Sequence, residues 1–155
     1  MPDRKKSEDA LPIFFEFFNE IGIIEQLSRA IMEARLPHGF LISHFGVLNH
    51  LIRVEDGRTP LSIATAFQVP KTTMTHTLAG LEKHGMIEMR ANPADGRSKL
   101  VWLTDKGRRF RQDAIMALGP DLLEFAEKFP PEKISDLVPR LAEIRDYLDK
   151  RRDEV

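Results

Sequence analysis

Apolar residues recur every three or four positions along most of this chain, the period of helices that bury one face. Only between Met86 and Leu103 does the pattern give way to short extended runs. Leu11 to about Leu36 predicts a long helix, with Leu11, Phe14, Phe15, Phe18, Ile21, Ile24 (or Glu25), Ser28 and Ile31 near one face. Phe17, Ile23, Leu27 and Met32 widen that face beyond a single seam, so the helix calls for two partners, its own domain and a second subunit; a helix buried within one monomer is the alternative. Residues 1–10, which are rich in charge, are expected to fray. Pro37, His38 and Gly39 break the chain, and Phe40 to Arg53 predicts the next helix with Leu41, Phe45, Leu48 and Ile52 inward.

The stretch from Thr59 to Thr104 is denser in signals. Thr59 and Pro60 open a short helix: a hydroxyl at the cap satisfies an orphan N–H, and Pro at the first helical position loses nothing. Ile63, Ala64 and Phe67 form its apolar face, and Pro70 ends it by pushing Val69 out of the helical region. A second helix follows from about Lys71 to His84, with Met74, Leu78 and Leu81 inward and Gly85 as its cap. Met86–Arg90 and Ser98–Leu103 predict two strands around a tip of turn formers, 91–97. Two short helices at a tight turn, then a β-hairpin, make a winged helix-turn-helix whose second helix is thin enough for a DNA major groove.

Beyond the hairpin, Thr104 caps a helix from about Asp105, with Phe110, Ala114, Ala117 and Leu118 on its apolar side. Gly119 and Pro120 should end or kink it, and Leu122, Leu123, Phe125 and Phe129 continue a helical pattern as far as Pro130 and Pro131. The last helix, about Glu132 to Lys150, carries Ile134, Leu137, Leu141, Ile144 and Leu148 on one stripe. Pro139 lies inside it and predicts a kink or a later start.

Three motifs, in order, resemble the signatures of the MarR family (multiple antibiotic resistance regulators). They are Leu81-Glu82-Lys83-His84-Gly85-Met86-Ile87, then Asp95-Gly96-Arg97-Ser98, then Leu103-Thr104-Asp105-Lys106-Gly107. They look like the LEKxGxI, DxR and LTxxG patterns of that family, and the flanking helices extend the resemblance over nearly the whole chain. It implies a homodimeric transcriptional regulator, usually a repressor released by a small ligand or by oxidation. It further implies that Asp95 holds the wing and Arg97 enters or lines the minor groove. At two positions the chain departs from the pattern: Pro70 stands where Ser or Asp is frequent, and His76 where Arg is frequent.

Composition narrows the function classes. With 155 residues the chain makes one domain, or one with a helical appendage. Formal net charge is −1, but residues 71–109 hold eight basic groups against four acidic ones, while 112–155 hold seven against eleven. A basic segment that coincides with the hairpin and second helix suits a DNA reader with a solvated scaffold elsewhere. The 155 residues include no cysteine, which excludes disulfides, thiolate metal sites and thiol-based oxidant sensing. No apolar run is long enough for a membrane span, and the start lacks the apolar core of a signal peptide, so the cytoplasm is the expected compartment. The nine glycines form no GxG, there is no GxSxG and no cysteine nucleophile, so no enzyme is expected.

The candidate chemistry is therefore recognition. Lys71, Thr72, Thr73, Thr75 and His76 lie at the start and on the outer face of the second helix, where short donors and acceptors meet base edges and phosphates. Arg97 and Lys99 supply cations from the hairpin. Ordinary surface threonines and a surface Asp–Arg pair are the bland alternative, and the hairpin behind the helix weighs against it. His38, His44 and His50 recur at six-residue spacing, which does not stack ligands on adjacent turns, so no metal and no cofactor are expected. The family resemblance suggests a ligand cavity near Arg35, His38, Phe40, His44 and Phe45, receiving an anionic aromatic effector.

The resulting expectation is a mainly α fold with a small β-hairpin wing: an N-terminal dimerisation helix over 1–36, a winged helix-turn-helix lobe over 37–104, and C-terminal helices over 105–155 that complete a dimerisation lobe. The partners expected are double-stranded DNA bearing a pseudo-palindromic operator, a second copy of the chain, and a small-molecule effector, with no membrane. A constitutive DNA binder and a winged-helix protein-interaction module are the alternatives; the basic balance of 71–109 argues against the second.

Overall fold

The structure, a computed structural model, describes residues 8–154. The expected fraying of 1–10 falls largely outside the described residues; Glu8 and Asp9 are helical. The chain divides into two compact units, the first ending at Ala117 and the second beginning at Leu118.

In the first unit, α1 (Leu11–Arg35) begins with Pro12 in its first turn, where a missing N–H costs nothing. None of its side chains is buried, and Phe15 is 72% exposed. The core lies beneath the next three helices, α2 (Ile42–Arg53), α3 (Pro60–Ala66) and α4 (Lys71–Lys83). Val47, Leu48 and Leu51 enter it from α2, Ile63 and Ala64 from α3, and Met74, Leu78 and Leu81 from α4. Met86, Ile87, Val101 and Leu103 close it from the hairpin, each full burial of such a side chain contributing about 1.5–3 kcal/mol.

The buried face of α2 differs from the expected one. His44, Val47, Leu48 and Leu51 point inward, whereas Leu41 is 59% exposed and Phe45 and Ile52 are half-buried. Leu41 precedes the helix in extended conformation, and the helix starts two residues later than Phe40. The segment is apolar on more than one side, so its own periodicity admits two inward faces; packing against α4 selects one of them.

The hairpin pairs β1 (Ile87–Ala91) with β2 (Lys99–Leu103), antiparallel, from Ile87 opposite Leu103 to Ala91 opposite Lys99. Each strand starts one residue later than its periodicity suggests. At β1 the reason is that Met86 belongs to the end of α4. Its N–H donates to Leu81 O (3.0 Å) and that of Gly85 to Glu82 O (2.9 Å), with Gly85 at φ +70°. This Schellman closure satisfies two orphan carbonyls and needs a residue that accepts the left-handed region. Arg58 forms a bridge to Val101 on the outer edge of β2. After the hairpin, α5 (Asp105–Ala117) starts under Thr104, whose Oγ1 accepts from Gly107 N (3.1 Å) and donates to Gly85 O (2.7 Å). Ala114 is buried and Phe110 packs on the core, while Ala117, expected on the same side, is exposed.

The second unit contains α6 (Gly119–Lys128) and α7 (Pro131–Asp153). Phe125 and Phe129 stack at 4.7 Å, and neither helix has a buried side chain. The later start suggested by Pro139 does not occur: α7 begins at Pro131 and continues through Pro139. Among the described residues no helix is long and apolar enough to cross a membrane.

Candidate nucleic-acid interface

The turn between α3 and α4 is set by local chemistry. Thr59 Oγ1 accepts from Ser62 N at 3.2 Å and starts α3. The helix closes with Gln68 at φ +55° and Val69 N donating to Ala64 O at 3.1 Å. A non-glycine residue in the left-handed region stores strain, which the surrounding turn holds in place. Pro70 then caps α4 with no side-chain hydrogen bond, consistent with its lack of a polar side chain. The first-turn N–H groups thus receive no hydrogen bond from the cap side chain, the arrangement that favours an anion at a helix start.

Lys71, Thr72, Thr73, Thr75 and His76 are all exposed, whereas Met74, Thr77, Leu78 and Leu81 bury the opposite face. Thr75 Oγ1 donates to Lys71 O at 2.9 Å. Its proton is thus committed to the helix, leaving its lone pairs and methyl group to a ligand, the methyl suited to a thymine. Thr77 makes the same bond to Thr73 O at 3.3 Å but is buried.

The wing tip is closed by its own side chains. Asp95 Oδ1 accepts from Arg97 N at 3.0 Å, and Asp95 O accepts from Ser98 N at 3.1 Å. Asn92 adds two bonds that sequence reasoning did not anticipate: Oδ1 accepts from Ala94 N (3.0 Å) and Nδ2 donates to Ser98 Oγ (2.8 Å). Its place at the head of a turn-forming run was the available signal. Arg97 and Lys99 are exposed on this hairpin. Arg90, also exposed, pairs with Glu88 and lies 4.8 Å from the centroid of the Trp102 ring. It, too, was missed, because an alternating strand pattern does not indicate which cation lies over an aromatic ring.

The residues suggested for an effector cavity are distributed as follows. Arg35 ends α1 and is exposed, as is His38 in the following turn; Phe45 is half-buried on α2. Phe40 and His44 meet edge-on at 5.7 Å, and Phe40 also touches His84 (4.7 Å) and Phe110 (4.6 Å). His44 is buried, its Nδ1 accepts from Leu41 N at 2.9 Å, and its Nε2 faces Gly80 of α4. Burial, then the nearby His84 and His76, push its pKa below the ordinary histidine value. Among the described residues no three His, Cys, Asp or Glu side chains are grouped to hold a metal ion.

The description of the MarR family matches residues 38–98. The fold is similar to that of solved MarR regulators. Wild-type apo MarR from E. coli is 23% identical, with a TM-score of 0.69 over 81% of this chain and 94% of that one. A MarR transcriptional regulator from Methanosarcina mazei is 21% identical, with a TM-score of 0.74 over 87% and 98%. A mutant of E. coli MarR complexed with operator DNA is 22% identical, with a TM-score of 0.66 over 84% and 94%.

Proposed function

On the premise that this chain is a winged-helix protein of the MarR family, we propose that it is a cytoplasmic, homodimeric, sequence-specific DNA-binding repressor released by a small effector. One observation carries the DNA reading: α4 turns its apolar face inward and presents Lys71, Thr72, Thr73, Thr75 and His76 to solvent, beside a hairpin with exposed Arg97 and Lys99. The helix is the direct reader, since only base contacts carry sequence. Arg97 meets the backbone or an A·T-rich minor groove, where the potential is most negative. The similar fold of a relative complexed with operator DNA supports the same use here.

Apolar surface that a single copy leaves uncovered supports the dimer. Phe14, Phe15, Phe18 and Ile21 of α1, with Leu122, Phe125 and Leu141 of the C-terminal helices, are exposed apolar side chains in a single chain. A second copy related by a two-fold axis covers them, and its recognition helix enters the major groove about one turn, ~34 Å, away on a pseudo-palindrome. An anionic aromatic effector near Arg35, His38, Phe40, His44 and Phe45 favours a spacing that no longer fits; a coupling of ~1–3 kcal/mol changes DNA affinity 5–150-fold.

The test is fluorescence anisotropy with duplexes selected from random sequence by the wild-type protein, against scrambled duplexes, over a range of salt. Binding that weakens with salt and prefers the selected sequence supports the proposal. Absence of binding to any duplex leaves the winged-helix protein-interaction module as the better reading.

A further inference from the structure

We propose that Asp56, in the loop between α2 and α3, is a positioning residue for DNA binding that fixes the wing relative to the recognition helix. The inference rests on the reading that α4 and the hairpin contact DNA together. The Asp56 carboxylate bonds to Gly57, Leu103 and Arg108 rather than to the tip or α4, and a carboxylate is an unsuitable partner for phosphate. What it holds is the outer edge of β2. Val101 N donates to Arg58 O (2.8 Å) and Gly57 N donates to Val101 O (3.0 Å), so 57–58 lie along the outer edge of the two-stranded hairpin as an isolated bridge. One step further along, the Leu103 N–H finds no carbonyl in that strip. It donates to Asp56 Oδ1 at 2.9 Å, and the carboxylate takes the place of the missing ladder acceptor.

The same carboxylate reaches two other elements. Oδ1 also accepts from Gly57 N (3.0 Å), and Oδ2 lies 3.6 Å from Arg108 Nη2 on α5. The strip runs directly into Thr59, the cap of α3, which packs on α4. Asp56 thus joins the base of the wing, the start of the helix-turn-helix and α5 through one half-buried side chain. A two-stranded ribbon is marginal alone and twists freely. A third edge tied by a charge-assisted bond restrains it, and Arg97 at its far end moves with that restraint.

Trp102 provides the readout. It is the one tryptophan of the chain, and its ring packs against the strip so closely that a Cβ on Gly57 would fall 2.6 Å from Cζ2. Asp56→Ala removes the acceptor, Asp56→Asn keeps a side-chain oxygen but removes the charge, and Gly57→Ala disturbs the strip with the carboxylate intact, through the Trp102 contact and a φ of +70° that alanine adopts at a cost. Each is measured for thermal unfolding, Trp102 emission, and anisotropy on the duplex selected by the wild-type protein, at a temperature where it is folded. Asp56→Ala and Gly57→Ala should red-shift Trp102 and bind about tenfold more weakly, the scale of one lost contact, whereas Asp56→Asn should stay within about threefold of wild type. In the Arg97→Ala background, Asp56→Ala should add little, because its effect passes through the wing.

Tighter binding by both Asp56→Ala and Asp56→Asn would mean that the carboxylate acts only by charge, and the proposal fails. Fully additive losses with Arg97→Ala, or an unchanged affinity in Asp56→Ala and Gly57→Ala, also overturn it while leaving the DNA reading in place. A wild-type protein that binds no duplex overturns both.

Discussion

Replacing Gly107 with alanine tests how the wing is seated on the body. Gly107 is in the first turn of α5, and an isolated helix gains up to ~1 kcal/mol from Gly→Ala. The structure predicts the opposite sign. An ideal Cβ at this position lies 2.2 Å from Met86 O and 3.0 Å from Leu103 Cδ1. Carbon–oxygen contacts normally begin at about 3.3 Å, so backbone must move by roughly 1 Å. Met86 cannot move freely: its carbonyl accepts from Thr104 N (3.1 Å), and its N–H closes the end of α4 on Leu81 O (3.0 Å). Overpacking costs about 1–3 kcal/mol and one weakened hydrogen bond about 0.5–1.5 kcal/mol, against the helix gain of less than ~1. The expected result is net destabilisation of about 0.5–4.5 kcal/mol, a fall in Tm of about 1–18 °C at this chain length. Calorimetry at fixed protein concentration measures it, since association would make Tm concentration-dependent. Gly119→Ala, whose Cβ meets nothing within 4 Å, is the control and should change little. A Gly107→Ala protein as stable as wild type, or more so, refutes the close approach of α5 to the start of β1.

Three further outcomes are expected. Phe18, 49% exposed in a single chain, should be covered in a dimer; Phe18→Asp buries a carboxylate there, costs several kcal/mol of association, and shifts sedimentation toward monomer, while a wild-type monomer at micromolar concentration would sink the idea. Arg97→Ala should weaken binding to all duplexes and lower the salt slope by about one unit if a phosphate contact is lost, whereas Thr73→Ala should cost ~1–3 kcal/mol on the selected site and less on scrambled DNA; unchanged affinity in both removes α4 and the wing as the reading surface. The lowered pKa of His44 means that the unfolded chain takes up the proton first as pH falls, so stability is full above the ordinary value of ~6.5 and is lost as pH falls through the folded value. Calorimetry from about pH 7 to about pH 5 should therefore show a steeper fall in Tm for wild type than for His44→Asn, which keeps a side-chain acceptor for Leu41 N; equal slopes refute it.

What the sequence determined by itself is the series of local events. Thr59 with Pro60, Val69 before Pro70, Gly85 after Lys83, and the turn formers at 91–97 act within a few residues, and each appears near where its chemistry puts it. The inward face of α4 was equally legible, because Met74, Leu78 and Leu81 are its only row of large apolar residues. The same periodicity put Lys71, Thr72, Thr73, Thr75 and His76 outward, and the ordered motifs carried the resemblance that pointed to Asp95 and Arg97.

Tertiary structure decided what depends on distant neighbours. The α2 segment has apolar residues on more than one side; burial of His44, Val47, Leu48 and Leu51 over Leu41 was chosen by what packs on the helix, with His44 Nε2 facing Gly80 across the junction. Asp56 reads as one more turn residue until β2, 47 residues away, offers it the N–H of Leu103. Gly107 reads as a poor helix former until Met86 O lies where a Cβ would be. Periodicity and capping are set by bonds a few residues long. The partner of a buried polar atom, and the one inward face among several apolar ones, are set by which surfaces meet when the chain closes on itself.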